Sequence, residues 1–147
     1  LWRFWNKLND GGKITIFDRT WYGRVLVERI EGFASVVEWQ RAYHEINRFE
    51  ENLVDSQTVI VKIWLAISKD EQEIRFKDRE QTPHKRFKIT EEDWRNRDKW
   101  DDYLNAAADM FERTHTDYAP WYVISTDDKN TARIEVLKAI LKQLKAG

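Results

Sequence analysis

The sequence contains no cysteine, which excludes disulfides, thiolate catalysis and cysteine-ligated metal centres together. A reducing compartment, and so a cytoplasmic location, is the expectation. Its three histidines, His44, His84 and His115, lie far apart without metal-ligand spacing, so a zinc site is not expected. Only five glycines and two prolines punctuate 147 residues, too few for a low-complexity or linker-rich chain. The longest apolar run, residues 58–67, is interrupted by Lys62 and is far shorter than the ~20 residues that span a bilayer, so no membrane segment is expected. Charge of one sign is lacking too: the net charge is −1, so no whole-protein field draws the chain to nucleic acid or anionic lipid, and any anion site must be local.

What is present is an aromatic, charged, globular composition. Aromatic residues make up 14% of the chain, with eight tryptophans, and 35% of residues are charged. A chain of this length can bury roughly two thirds of its unfolded surface, so one domain with a core of its own is the expectation.

Helix and strand signals alternate along the chain. Leu1, Trp5 and Leu8 share one helical face with no capping residue ahead of them, so the sequence reads as starting inside a helix. A turn at residues 9–12 leads to a short β-branched strand at 13–17, ending on Asp18. Thr20 can cap a helix to about Glu31, which Gly32 would terminate. Ser35 and Glu38 form a capping box ahead of Val36, Trp39, Tyr43, Ile46, Phe49 and Leu53 at helical spacing. Residues 58–67 read as a central strand buried on both faces. Ser68 then caps a charged helix over 69–81, which Thr82 and Pro83 stop. After a loop to Ile89, Thr90 and Asp93 repeat the capping pattern before one helix to about Thr114, striped by Trp94, Trp100, Leu104, Ala107 and Phe111. A third strand at 121–125 and a helix over 129–145, with Val136, Leu137, Ile140, Leu141 and Leu144 on one side, close the chain. The order implies an α/β fold with a parallel sheet, right-handed crossovers and functional groups at the carboxyl ends of strands.

Three constellations could carry chemistry. The run ITIFDR, residues 14–19, delivers Asp18 to the end of a strand, where a carboxylate can hold magnesium against phosphates; a capping or turn Asp is the competing reading. Arg19 beside it suits a phosphoryl group. The segment RFKDREQTPHKRFK, residues 75–88, holds six Lys or Arg against two Asp or Glu, a local balance of +4. Arg75 and Arg79 lie at i, i+4, an arrangement of like charges relieved by an anion between them or by the acids Glu71, Glu73 and Asp78. Lys85, Arg86 and Lys88 follow the proline turn, and a solvated charged surface is the competing reading. The third, DDKNTAR at 127–133, offers Asp128, Lys129 and Arg133 to a nucleotide, or caps the last helix. Trp39, Trp94 and Trp100 are assigned to packing.

Together these segments resemble the family-two polyphosphate kinases over nearly the whole chain. FDRTWYGRVLVERIEGF (17–33) resembles that family's Walker B region, INRFEENL (46–53) its following helix, ISKDEQEIRFKDREQTPHKRFKITEEDW (67–94) its lid, and APWYVISTDDKNTAR (119–133) its closing strand and turn. The WYGRVLVER wording is most similar to the subgroup that phosphorylates AMP with polyphosphate. The resemblance implies a P-loop kinase-like three-layer α/β/α fold with a parallel sheet, incomplete at the N-terminus; a strand edge left unpaired beside residues 58–67, with the apolar face of the first helix, in turn predicts a homo-oligomer. The resemblance also implies transfer of a phosphoryl group between inorganic polyphosphate and a nucleotide, with Mg2+, AMP and ADP as partners. By it, Asp18 is a magnesium carboxylate, Arg19 a phosphate contact, Arg75 and Arg79 catalytic lid charges, and Lys85, Arg86, Lys88, Asp128, Lys129 and Arg133 substrate-binding. Phe87 stands where the family has a bulkier aromatic. The family's G-x-D-x-x-G-K-G loop, which cradles phosphates and supplies a lysine, is not in the sequence, so the chain alone is expected to be inactive. Two rival readings are a non-catalytic polyphosphate-binding or assembly module and an ATP-dependent nucleoside monophosphate kinase.

Overall fold

The computed structural model describes residues 1–8, 11–84 and 91–146. They divide into two compact units, one of Leu1–Ile60 with Asp101–Ala119 and one of Val61–Trp100 with the residues from Pro120 onward.

The first unit is helical. After a single turn, α1 (Trp2–Trp5), residues 13–17 belong to neither strand of the structure, and Ile14 and Ile16 are 82% and 88% exposed. The strand expected there is therefore corrected: a period-two pattern becomes a strand only beside a ladder neighbour, and none lies along it among the described residues. Thr20 does cap, its Oγ1 accepting from the Tyr22 amide at 3.3 Å. The element it starts is a 3₁₀ turn (Trp21–Arg24) followed by one α turn, α2 (Val27–Ile30), not one continuous helix. Gly23 and β-branched Val25 and Val27 disfavour an unbroken ladder. Gly32 ends the segment at φ +72°, as expected.

Helix α3 (Val36–Asp55) starts at the capping box read from the sequence, with the Ser35 amide and hydroxyl each donating to Glu38 Oε2 at 2.8 Å. Its buried face is Ala42, Tyr43, Ile46, Phe49, Glu50 and Leu53. Val36, expected on that stripe, is 58% exposed, and Trp39 is half-buried beneath the Arg29 guanidinium, 4.1 Å from its ring centre. Arg29 also donates to Tyr43 Oη (3.1 Å) and to Asp109 Oδ2 (2.7 Å), tying α2 to α3 and α6 (Trp100–Thr114).

In place of one helix to Thr114, the structure has α5 (Glu91–Asp98) and α6, broken at Lys99; the cap expected at Thr90 lies outside the described residues. In α6, Ala106, Ala107, Met110 and Thr114 are buried, so Ala107 of the expected stripe packs as read, while Leu104, 55% exposed, does not.

The second unit holds the sheet. Strands β1 (Lys62–Ala66) and β2 (Trp121–Ser125) run parallel, with Lys62 opposite Trp121 and Ala66 opposite Ser125. The sheet is two-stranded, so β1 is not a central strand among the described residues, and it is not buried on both faces: Leu65 is 57% exposed. Helix α4 (Lys69–Gln81) follows β1, capped by Ser68 and stopped at Thr82 as expected. Helix α7 (Lys129–Ala146) packs Ala132, Val136 and Ala139 onto Ile63, Tyr122 and Ile124. The leucines expected on its packed side, Leu137, Leu141 and Leu144, are 61%, 57% and 49% exposed. Two strands make a narrow platform, and the alanine face occupies it.

Candidate functional site

In the first unit, Asp18 and Arg19 are exposed on the bend between residues 13–17 and the 3₁₀ turn. Arg19 has φ +62°, a left-handed conformation costing a non-glycine residue roughly 1–2 kcal/mol, so neighbouring contacts must hold it. The contacts are aromatic: Phe17, just before Asp18, packs edge to face on Trp21, just after Thr20, with ring centres 5.6 Å apart. Among the described residues no group of three His, Cys, Asp or Glu side chains could form a closed metal cage. A lone, accessible carboxylate fits magnesium, which keeps most of its waters and binds through one or two carboxylates plus substrate phosphate.

In the second unit Asp128, Lys129 and Arg133, three of the residues expected to bind substrate, lie with Arg75 where both parallel strands end. The Thr126 hydroxyl donates to the Ala66 carbonyl (2.9 Å), and the Ser68 amide donates to Asp127 Oδ1 (2.9 Å). Ser68 Oγ in turn accepts the Glu71 amide at 3.2 Å. Arg75 closes this arrangement from α4. Its Nε donates to Glu71 Oε1 (2.8 Å), and its Nη2 donates to the carbonyls of Thr126 (2.5 Å) and Asp127 (3.1 Å). Of the acids that could answer the Arg75 and Arg79 charges, Glu71 thus takes Arg75, while the Arg79 guanidinium lies over the Phe76 ring at 6.0 Å. Trp94, assigned to packing, meets Phe76 edge to face at 5.2 Å.

Asp128 caps α7, its Oδ1 accepting the Thr131 amide at 2.6 Å, and that bond holds its carboxyl below the usual aspartate range. A depressed pKa contributes stability that is complete above the ordinary aspartate value near ~4 and is lost as pH falls through the folded value. Asp128→Ala is expected to lower Tm at neutral pH and to leave less of the wild-type loss of Tm below about pH 4, as followed by circular dichroism. Arg133 Nη1 donates to Asn130 Oδ1 (3.1 Å). Arg75, Lys129 and Arg133, with Leu65, Val136 and Leu137, line an open groove of about 650 Å³. Lys85, Arg86 and Lys88 lie outside the described residues.

Three anchoring residues were not legible as such. Asp127, and not its neighbour Asp128, joins the two strand ends; the Asp doublet was the signal, but not which member does what. Arg97 ties α5 to α4 by donating to Glu73 Oε2 and the Lys69 carbonyl, both at 2.6 Å. Glu50, fully buried on α3, accepts from Trp21 Nε1 (2.9 Å) and Tyr22 Oη (2.6 Å). Burial, and then the Glu50 charge, push the Tyr22 hydroxyl far above its ordinary pKa. The signal for Glu50 was an acid four residues after Ile46 on an otherwise apolar face.

The family model described as Polyphosphate kinase 2 (PPK2) matches residues 1–147. A polyphosphate:AMP phosphotransferase from Acinetobacter johnsonii is 79% identical over 146 residues, covering 99% of this chain and 30% of the relative. An ADP-polyphosphate phosphotransferase from Pseudomonas aeruginosa is 37% identical over 97% of this chain and 47% of its own length. The crystal structure of polyphosphate kinase 2 from Arthrobacter aurescens superposes with a TM-score of 0.94 at 40% identity, over 99% of this chain and 51% of that one. The chain thus spans between about a third and a half of the length of these relatives.

Proposed function

Because the chain belongs to the polyphosphate kinase 2 family, we propose that it serves phosphoryl transfer between inorganic polyphosphate and a nucleotide, with AMP converted to ADP. The observation that carries this reading is the 79% identity to a polyphosphate:AMP phosphotransferase over 99% of the chain. The site chemistry agrees with it. Asp18 would hold a magnesium ion, which supplies charge neutralisation to the phosphates when bound. Arg19 beside it would contact the transferring group. Arg79, Lys129 and Arg133 offer cations to a polyanion, and so do Lys85, Arg86 and Lys88 by sequence. Asp128 supports Lys129 by capping their shared helix. Catalysis of this kind rests on positioning and charge stabilisation, which fixed arginines supply. The phosphate-cradling G-x-D-x-x-G-K-G loop is not in this sequence, and we infer that the chain needs one from elsewhere to turn over.

Among the described residues no helix is long and apolar enough to cross a membrane. We place the reaction in the cytoplasm, on the absence of cysteine, and expect a homo-oligomer, because among the described residues β1 has a strand neighbour on one side only and Leu65 within it is exposed.

The test uses the full-length gene product with AMP, Mg2+ and polyphosphate of graded chain length, with ADP measured by chromatography and size by light scattering. ADP formation that rises with chain length, from a species larger than a monomer, is the expected result. Polyphosphate binding without ADP would make it a binding module, and an equal rate with ATP as donor would make it a nucleoside monophosphate kinase.

A further inference from the structure

A fully buried carboxylate needs an explanation, because an acid costs far more to bury than an apolar side chain of its size. Glu50 is such a group, at 0% exposure in the core of the first unit. One of its oxygens, Oε1, accepts from both Trp21 Nε1 (2.9 Å) and Tyr22 Oη (2.6 Å). These donors are the first two residues of the turn that follows Asp18, Arg19 and Thr20.

We propose that Glu50 is a positioning residue for Asp18 and Arg19, acting through the Trp21 indole. The chain of contact is short. Trp21 stacks edge to face on Phe49, the neighbour of Glu50, at 5.1 Å, and on Phe17 at 5.6 Å. The residues flanking the Asp18–Thr20 bend on both sides are thereby tied to one ring. Edge-to-face packing fixes the ring from its faces and edges, and the N–H···O bond to Glu50 adds the restraint on where its Nε1 points. Thr20 Oγ1 adds a local bond from the Tyr22 amide at 3.3 Å. A bend containing a left-handed arginine at φ +62° keeps that conformation only while its surroundings over-determine it. Glu50 supplies a polar, directional, long-range part of those surroundings. This assignment rests on the proposed role of Asp18 and Arg19, but its structural half, that Glu50 holds the bend, is tested without any transfer reaction.

The experiment compares Trp21→Phe, Glu50→Leu and Glu50→Gln with Asp109→Asn, which breaks the Arg29 ion pair elsewhere in the same unit. All are made in the full-length protein. Hydrogen exchange across residues 13–24 is read together with Tm and the Mg2+ concentration giving half-maximal ADP formation. Trp21→Phe and Glu50→Leu are expected to speed exchange in that peptide and raise the Mg2+ requirement about tenfold, the scale of losing a residue that orients a metal ligand. Glu50→Gln keeps a carbonyl acceptor and is expected to stay within about twofold of wild type in both readouts. Asp109→Asn is expected to lower Tm without moving either. If Glu50→Leu fails to fold, Trp21→Phe carries the test. Wild-type exchange at 13–24 in Trp21→Phe would overturn the proposal. So would a Glu50→Gln loss as large as that of Glu50→Leu, since the charge would then matter and not the bond. Faster exchange in a protein that makes no ADP even unsubstituted would leave the bend held by Glu50 and overturn only the assigned reaction.

Discussion

Asp18→Asn in the full-length protein is expected to lower Mg2+-dependent ADP formation by about 100-fold or more, beyond the effect of losing a supporting residue, because the amide removes the charge that would hold the metal. Asp18 is exposed and its neighbours hold the bend through rings and through Glu50, so stability should stay within about 0.5 kcal/mol of wild type. Steady-state rates over a Mg2+ titration, with a thermal melt beside them, make the comparison. Wild-type turnover would refute the metal role. A fall in Tm accompanying the lost activity would make Asp18 a structural turn residue, the competing reading of its place in the sequence.

The second large effect separates two arginines that look alike in sequence. Arg75 has a side chain only 18% exposed and spends its donors on Glu71 and on the carbonyls of Thr126 and Asp127. Arg75→Ala would leave those carbonyls without their cation and Glu71 without its partner. A loss of about 2 to 3 kcal/mol in unfolding free energy is expected by urea titration. Arg79 lies over Phe76 and its truncation should change stability by less than about 0.5 kcal/mol. Arg79→Ala should instead weaken polyphosphate binding and flatten its salt dependence, while AMP binding is unchanged, because one cation fewer remains to be screened. Calorimetric titrations of both ligands at two salt concentrations decide it. Equal loss for polyphosphate and AMP would show that Arg79 shapes the fold and does not meet the polyanion.

The legible parts of this protein are the ones whose hydrogen bonds close locally. The Ser35–Glu38 box starting α3, Ser68 starting α4 and Thr82 ending it were all written within a few residues of the ends they form. A helix satisfies its own backbone, so its bounds are a local matter. The residues proposed for the site were picked from short runs such as FDR and DDK by the chemistry of their side chains. Only the tertiary structure decided the rest. Whether residues 13–17 form a strand depends on a neighbour that sequence order does not name. Which side of α7 packs was settled by the narrow two-stranded platform, which takes the alanines and leaves the leucines exposed. Arg75 became an anchor through carbonyls 51 and 52 residues away, and Asp127 through an amide 59 residues away. Glu50 meets Tyr22 across 28 positions. A buried polar group must find its partner wherever the fold brings one, and no periodicity in the sequence encodes that distance.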